Sequence, residues 1–248
     1  MAFVQLLATL VVVGILYTRM VRRADPAISR RAQVIVPVVF GVLSLLLSLC
    51  FTALVSLCLR QLGVTTLDIA NPVLSAFASA LVGAGLTEEL AKFAFLLIAC
   101  AIFKPRNVYE HMVAGAGIGF GFTLLEEFAY GTGLSSLTRI PLVAMHVVFG
   151  IIMARHLGTA RHNLLRGNAG VGSEVALALV VPILTHTAFD ACTMANPALA
   201  SFDTIDETGQ VIGLGIALVA VIVAFVWQVV SLVSMRRKAD AYCAMETV

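Results

Sequence analysis

The stretch GLTEELAKFAFLLIACAIF, residues 85–103, decides how the chain is read. After Lys92 it is apolar on every face, with no polar stripe of the kind that turns a soluble helix toward water. Yet Glu88, Glu89 and Lys92 stand within five residues of one another near its start. A helix with such flanks belongs in lipid, where each of these charges needs a partner or a purpose.

The rest of the chain has the same character. Of 248 residues, 60% are hydrophobic and 12% charged, and the mean hydropathy is +1.00. Several runs reach the ~20 residues needed to cross a bilayer. They are continuous rather than alternating, which predicts helices and excludes a β-barrel. The fold expected is an all-α membrane protein with about seven spans, roughly 2–18, 34–59, 73–103, 110–131, 140–158, 174–195 and 210–235. No soluble domain stands out, so residues 1–248 read as a single integral membrane domain. The first run lacks a basic leader and a small-residue cleavage site, which marks an uncleaved anchor rather than a signal peptide. Five scattered cysteines show no metal-type spacing and read as small apolar residues.

Basic residues set the expected orientation. Arg19, Arg22, Arg23, Arg30, Arg31, Lys104, Arg106, Arg155, Arg161, Arg166, Arg236, Arg237 and Lys238 fall on one side of the predicted spans, 13 of the 16 in the chain. Arg60 and Arg139 fall on the other, and Lys92 lies within a span. By the positive-inside rule the N-terminus is outside and the C-terminus cytoplasmic. The net charge of +2 is therefore topological bias and not a sign of nucleic-acid binding.

The ionisable residues inside spans are Glu88, Glu89, Lys92, Glu126, Glu127, His146, His186 and Asp190, all on the third to sixth spans. Glu88 and Glu89 stand four and three residues before Lys92, so either can meet its ammonium. His186 and Asp190 are i,i+4 and share a face. Glu126 and Glu127 point about 100° apart, so one of the two is expected to face the bundle interior.

Depth brings these residues together. At ~1.5 Å per residue, Glu126 lies ~8 Å from the outer end near Gly131, and His146 ~10 Å below Arg139. His186 and Asp190 lie ~15 and ~9 Å below Asn196, and Glu88 lies ~8 Å below a boundary at Gly83. Residues 73–82 then form an interfacial or re-entrant piece. Carboxylates and imidazoles are zinc ligands, and a catalytic zinc takes three protein ligands plus water. A further carboxylate can serve as general base. These residues read as a metal-assisted hydrolase site within the membrane, while proton relays and cation pathways draw on the same side chains.

The order of motifs adds to this. EELAK (88–92) fits E-E-x-x-K, and FTLLE (122–126) fits F-x-x-x-E after the glycine-rich GAGIGFG (115–121). RIPLVAMHVVFG (139–150) carries an intramembrane His followed by Gly, and HTAFD (186–190) fits H-x-x-x-D. Over residues 80–195 the chain resembles the PrsW family of intramembrane metalloproteases, relatives of the CAAX-processing and bacteriocin-processing membrane proteases. The resemblance implies a bacterial cell-membrane protease that cuts membrane-anchored substrates such as anti-sigma factors, near the extracytoplasmic side. It implies Glu88 and Glu89 as catalytic carboxylates with Lys92 their partner. Glu126, His146 and His186 become ligands of a divalent metal, zinc by type, and Asp190 a fourth ligand or an orienter. The sequence has Glu126-Glu127 where that family usually has Glu-Asn.

Two other classes compete. A proton-coupled or divalent-cation transporter predicts acidic residues through both leaflets, whereas these cluster in one. A non-catalytic scaffold would bind a partner without cutting it. An ion pair between helices accounts for one carboxylate beside Lys92 but not for two. His111, His156 and His162 lie at or beyond the cytoplasmic boundary and are expected to be solvated. The glycines at 115, 117, 119 and 121 are expected to let helices approach closely, since no strand precedes them to make a nucleotide loop.

Overall fold

The computed structural model describes residues 2–24, 31–64, 69–130, 142–193 and 207–248. Arg30 and Arg139, and the outer helix ends placed near Gly131 and Asn196, lie outside them. Among the described residues there are helices and no strands. The helices are α1 (Ala2–Arg23), α2 (Arg31–Gln61), α3 (Pro72–Ala80), α4 (Leu86–Phe103), α5 (Val108–Tyr130), α6 (Met145–Arg166), α7 (Val171–Thr193), α8 (Glu207–Arg237) and α9 (Ala239–Ala244). This is an all-α membrane protein. Among the described residues, four helices are long and apolar enough to cross a membrane: Ala32–Gln61, Val108–Ala129, Val171–Thr193 and Val211–Arg237. The other three predicted spans are helical as well, as α1, as α3 running into α4, and as α6.

Between α3 and α4 the helix widens into a π turn over Leu81–Gly85, where the sequence placed a membrane boundary. Asn71 caps the start of α3, accepting from the backbone N–H groups of Val73 and Leu74. Residues 72–103 thus form one helical path with a change of register just before Glu88. Such π turns recur at functional sites.

Helix α5 is the centre of the molecule, packed against α1, α2, α4 and α6. The glycines of GAGIGFG make this possible. A Cβ at Gly115 would collide with the Gly150 carbonyl oxygen of α6, and one at Gly150 with that of Gly115. A Cβ at Gly119 would lie 2.6 Å from the His146 carbonyl carbon. On the opposite face, a Cβ at Gly121 would meet the backbone of Val38 on α2. Backbone-to-backbone approach of this kind is how small residues hold membrane helices together.

Contacts tie several helix ends together at the far end of α4. Arg23 bonds Asp240 at 2.8 Å, linking α1 to α9. Residues 245–247 strap across the turn before α5: the Val108 N–H donates to the Met245 carbonyl and the Thr247 N–H to that of Arg106. Arg166 of α6 reaches Glu246 at 3.3 Å. Two histidines here correct the sequence reading, since His111 and His156 are buried rather than solvated. Gly158 of α6 offers no side chain, so the His111 ring packs against it. His156 Nδ1 donates to Glu174 of α7 at 2.6 Å, and Arg155 meets its Nε2.

Candidate active site

At the start of α4 the structure gathers Glu88, Glu89, Lys92, Glu126, His146, His186 and Asp190 from α4, α5, α6 and α7. Lys92 is the most enclosed. Its side chain is fully buried, and Nζ donates to Glu89 Oε1 at 2.8 Å and lies 3.5 Å from Glu88 Oε2. The same nitrogen sits 3.8 Å from the centroid of the Phe122 ring, a cation–π contact. The phenylalanine of the F-x-x-x-E motif therefore covers the lysine one turn below Glu126.

The two imidazoles have related surroundings. His146 Nδ1 is 2.9 Å from Lys92 Nζ, and its Nε2 is 2.7 Å from Glu126 Oε2. An ammonium has no lone pair, so Lys92 donates and the His146 ring proton stands on Nε2, facing Glu126. His186 Nδ1 donates to Glu89 Oε1 at 2.8 Å, and its Nε2 faces Asp190 at 3.4 Å and Glu88 at 3.9 Å. Each imidazole thus has Nδ1 held by the Glu89–Lys92 pair and Nε2 turned toward other carboxylates. The rings of His146 and His186 meet edge to face with centroids 5.1 Å apart, and Phe149 stacks on His186 at 5.2 Å. Trp227 of α8 closes over Phe149.

The adjacent glutamates differ. Glu89 is fully buried and shared between Lys92 and His186, whereas the Glu88 side chain keeps 14% exposure. Glu88 Oε2 is itself buried and accepts no hydrogen bond among the described residues. Glu126 and Glu127 are both buried, which corrects the expectation that one would turn away. Helix α5 is packed on several sides, so an offset of about 100° does not carry a residue out of the protein.

A divalent metal fits these residues. One ligand atom each from Glu88, His146 and His186 lies within 4.8 Å of the others, giving oxygen and nitrogen donors on three helices. The buried Glu88 oxygen without a hydrogen bond is the kind of atom a cation satisfies. Sequence reasoning missed the parts played by Phe122 and Phe149. Phe122 carried a signal, since it stands i,i+4 from Glu126, but Phe149 looked like any other apolar residue of its helix.

Comparison with known proteins gives the family. Residues 31–232 match the family described as PrsW family intramembrane metalloprotease, and the chain belongs to that family. It is 31% identical over 121 residues to Protease PrsW of Bacillus subtilis, covering 46% of this chain and 53% of that protein. It is 29% identical over 127 residues to Protease PrsW of Halalkalibacterium halodurans, covering 49% and 55%. The chain thus spans about half the length of the curated relatives it matches. No solved structure matches it. The family implies a divalent metal, and the Glu88, His146 and His186 donors can hold one.

Proposed function

We propose that the chain is an endopeptidase that cuts membrane-anchored proteins within the bilayer, with a divalent ion held by Glu88, His146 and His186. The observation that carries this reading is the pairing of the imidazoles, with Nδ1 of each held by Glu89 and Lys92 and Nε2 turned toward carboxylates. His186 is oriented as metal-ligating histidines are, with its Nδ1–H donated to a carboxylate, whereas His146 takes that form only once Lys92 has left its Nδ1. When bound, the ion supplies Lewis-acid polarisation of a carbonyl and of water, and the mixed donor set suits zinc.

The chain's own residues have separate tasks. Glu126 is the assigned proton acceptor for the attacking water, since its carboxylate lies beside the donor trio and outside it. The family resemblance implies Glu126 among the ligands and Glu88 and Glu89 as the catalytic carboxylates. The mutual reach of the Glu88, His146 and His186 donors favours exchanging Glu88 and Glu126. Asp190 steadies His186. For His146 to ligate through Nε2, Lys92 must leave its Nδ1, and Glu88 and Glu89 both stand within 3.5 Å to receive it.

The substrate is a membrane-anchored regulator of the anti-sigma-factor kind, whose helix must unwind because a helical peptide bond is enclosed by its own hydrogen bonds. In this reading the chain crosses a bacterial cell membrane seven times, and the bias of basic residues supports an N-terminus outside, a C-terminus in the cytoplasm and a site in the outer half of the membrane. Transport is the weaker alternative. From His146 toward His156 the buried side chains of α6 are Val147, Val148, Phe149, Ile151, Ile152, Met153 and Ala154, which offer no polar step between the two histidines.

The test is cleavage of a membrane-anchored reporter by protein in nanodiscs, with metal content measured alongside. Glu126→Gln is expected to keep its metal and to cut more slowly by roughly 10²–10⁴-fold. Glu88→Gln is expected to lose both metal and cleavage. If Glu126→Gln loses metal and Glu88→Gln keeps it, the carboxylates hold the roles that the resemblance implies. Wild-type cleavage by both variants sinks the roles given to Glu88 and Glu126, and absence of cleavage by the metal-loaded wild type sinks the protease reading.

A further inference from the structure

At the end of the bundle opposite the carboxylate–imidazole cluster lies a cavity of about 510 Å³, framed by α4, α6, α7 and the strap of residues 245–248. Its size falls in the roughly 300–1,000 Å³ range of ligand sites. Its walls are mainly apolar, among them Leu97, Leu157, Leu164 and Val175, and its polar rim carries Lys104 and Arg161. No acidic side chain is among its described lining residues.

The two cations set this cavity apart from its surroundings. Nearby, Arg23, Arg106 and Arg166 are each paired with a carboxylate. Lys104 and Arg161 have no carboxylate partner among the described residues. Arg161 is instead anchored by its Nε, which donates to the Thr247 carbonyl at 3.3 Å, and this fixes the guanidinium at the rim. Lys104 occupies the left-handed position that ends α4, with φ 47, where glycine is the easier residue. It is the only non-glycine residue with positive φ among the described residues. The positive end of α7 also opens here, since Val171, its first residue, lines the cavity.

Position along the bundle identifies the ligand. Lys104 is twelve residues beyond Lys92 on α4, roughly 18 Å along the axis, which brings the rim to the headgroup level of a bilayer. We propose that this cavity binds an anionic phospholipid, with its phosphate between Lys104 and Arg161 and an acyl chain in the apolar slot. Basic pockets between helices on the basic side of a membrane protein recognise such headgroups. The site is distinct from the proposed catalytic cluster and does not depend on it.

The full chain, purified in mild detergent and stripped of lipid, is titrated with phosphatidylglycerol, phosphatidylcholine or glycerol 1-phosphate. Thermal stability and lipid retention by native mass spectrometry are measured. Phosphatidylglycerol is expected to be retained at least roughly tenfold better than phosphatidylcholine and to raise the Tm, with glycerol 1-phosphate inactive. Lys104→Gln with Arg161→Gln is expected to reduce phosphatidylglycerol to the phosphatidylcholine level, and Lys104→Arg to keep the preference. Ala101→Trp, which fills the slot, is expected to lower retention of both lipids. Equal retention of the two lipids by the wild type overturns the proposal, and so does a preference that survives the double substitution. Stabilisation by glycerol 1-phosphate equal to that by phosphatidylglycerol also overturns it, since the site would then recognise a soluble phosphate.

Discussion

At the end of the bundle where α4 begins, Glu88, Glu89, Glu126 and Asp190 share one ammonium, Lys92, and two imidazoles. At the end where α4 finishes, Arg23, Arg106 and Arg166 each meet a carboxylate, and all three are at least 41% exposed. The residue types are nearly the same, and the difference lies in solvent. Exposed pairs are screened and contribute little. In the enclosed cluster no group can be given up without leaving another unmatched, and carboxylates outnumber the fixed cations. That excess of negative charge is what suits the cluster to a divalent ion.

The comparison breaks first at Lys92. If the enclosed cluster behaves as a buried ion network, Lys92→Met leaves Glu89 without its cation and costs about 3–5 kcal/mol of stability. In detergent this is expected as a large fall in Tm and in folded yield. An unchanged Tm would mean that water reaches the cluster and that both ends of the bundle obey the same rule.

A second test sharpens the contrast through the backbone. Gly119→Ala drives a methyl into the start of α6 at His146, where the colliding atoms are main chain and cannot swing aside. The expected cost is about 1–3 kcal/mol, together with loss of metal binding as His146 is displaced. Gly83→Ala in the π turn is the control, since a Cβ there meets nothing within 4 Å. If Gly119→Ala keeps wild-type stability and metal content, the close crossing of α5 and α6 does not position His146.

These two ends were unequally legible in the sequence. An ionisable residue in an apolar run announces itself, so all seven members of the enclosed cluster could be named before their geometry was seen. The glycines of GAGIGFG were legible for the same reason, since four of them at alternate positions have no use in an isolated helix. The division of labour between Glu88 and Glu89 was not legible, because it depends on how far the π turn rotates α4, and Leu81–Gly85 has no local signature of a widened helix. The basic end was hidden for another reason. Its strap rests on two backbone bonds, Val108 to Met245 and Thr247 to Arg106, with the Thr247 hydroxyl donating to the Pro105 carbonyl, and backbone groups at such a separation leave no mark in side-chain pattern. Burial of His111 likewise depends on a glycine 47 positions away, Gly158.

The smallest effect is expected at Arg166. Its Nη2 lies 3.3 Å from Glu246 Oε2, with side-chain exposures of 55% and 69%, so both groups remain largely hydrated. Coulomb attraction at that exposure is offset by the entropy of holding two long side chains, and pairs of this kind contribute about 0–1 kcal/mol. Arg166→Gln is therefore expected to shift the Tm only slightly, and the shift should vanish at high salt because exposed charges are screened. The strap itself should stay in place, since Thr247 still bonds the backbone at Pro105 and Arg106, and Val108 still bonds Met245. Protease nicking of residues 245–248 would report on this directly, with wild type and variant cut at the same rate. A loss of stability as large as that of Lys92→Met, or rapid nicking of the variant, would show that this exposed pair carries the strap, and the contrast between the two ends would fail.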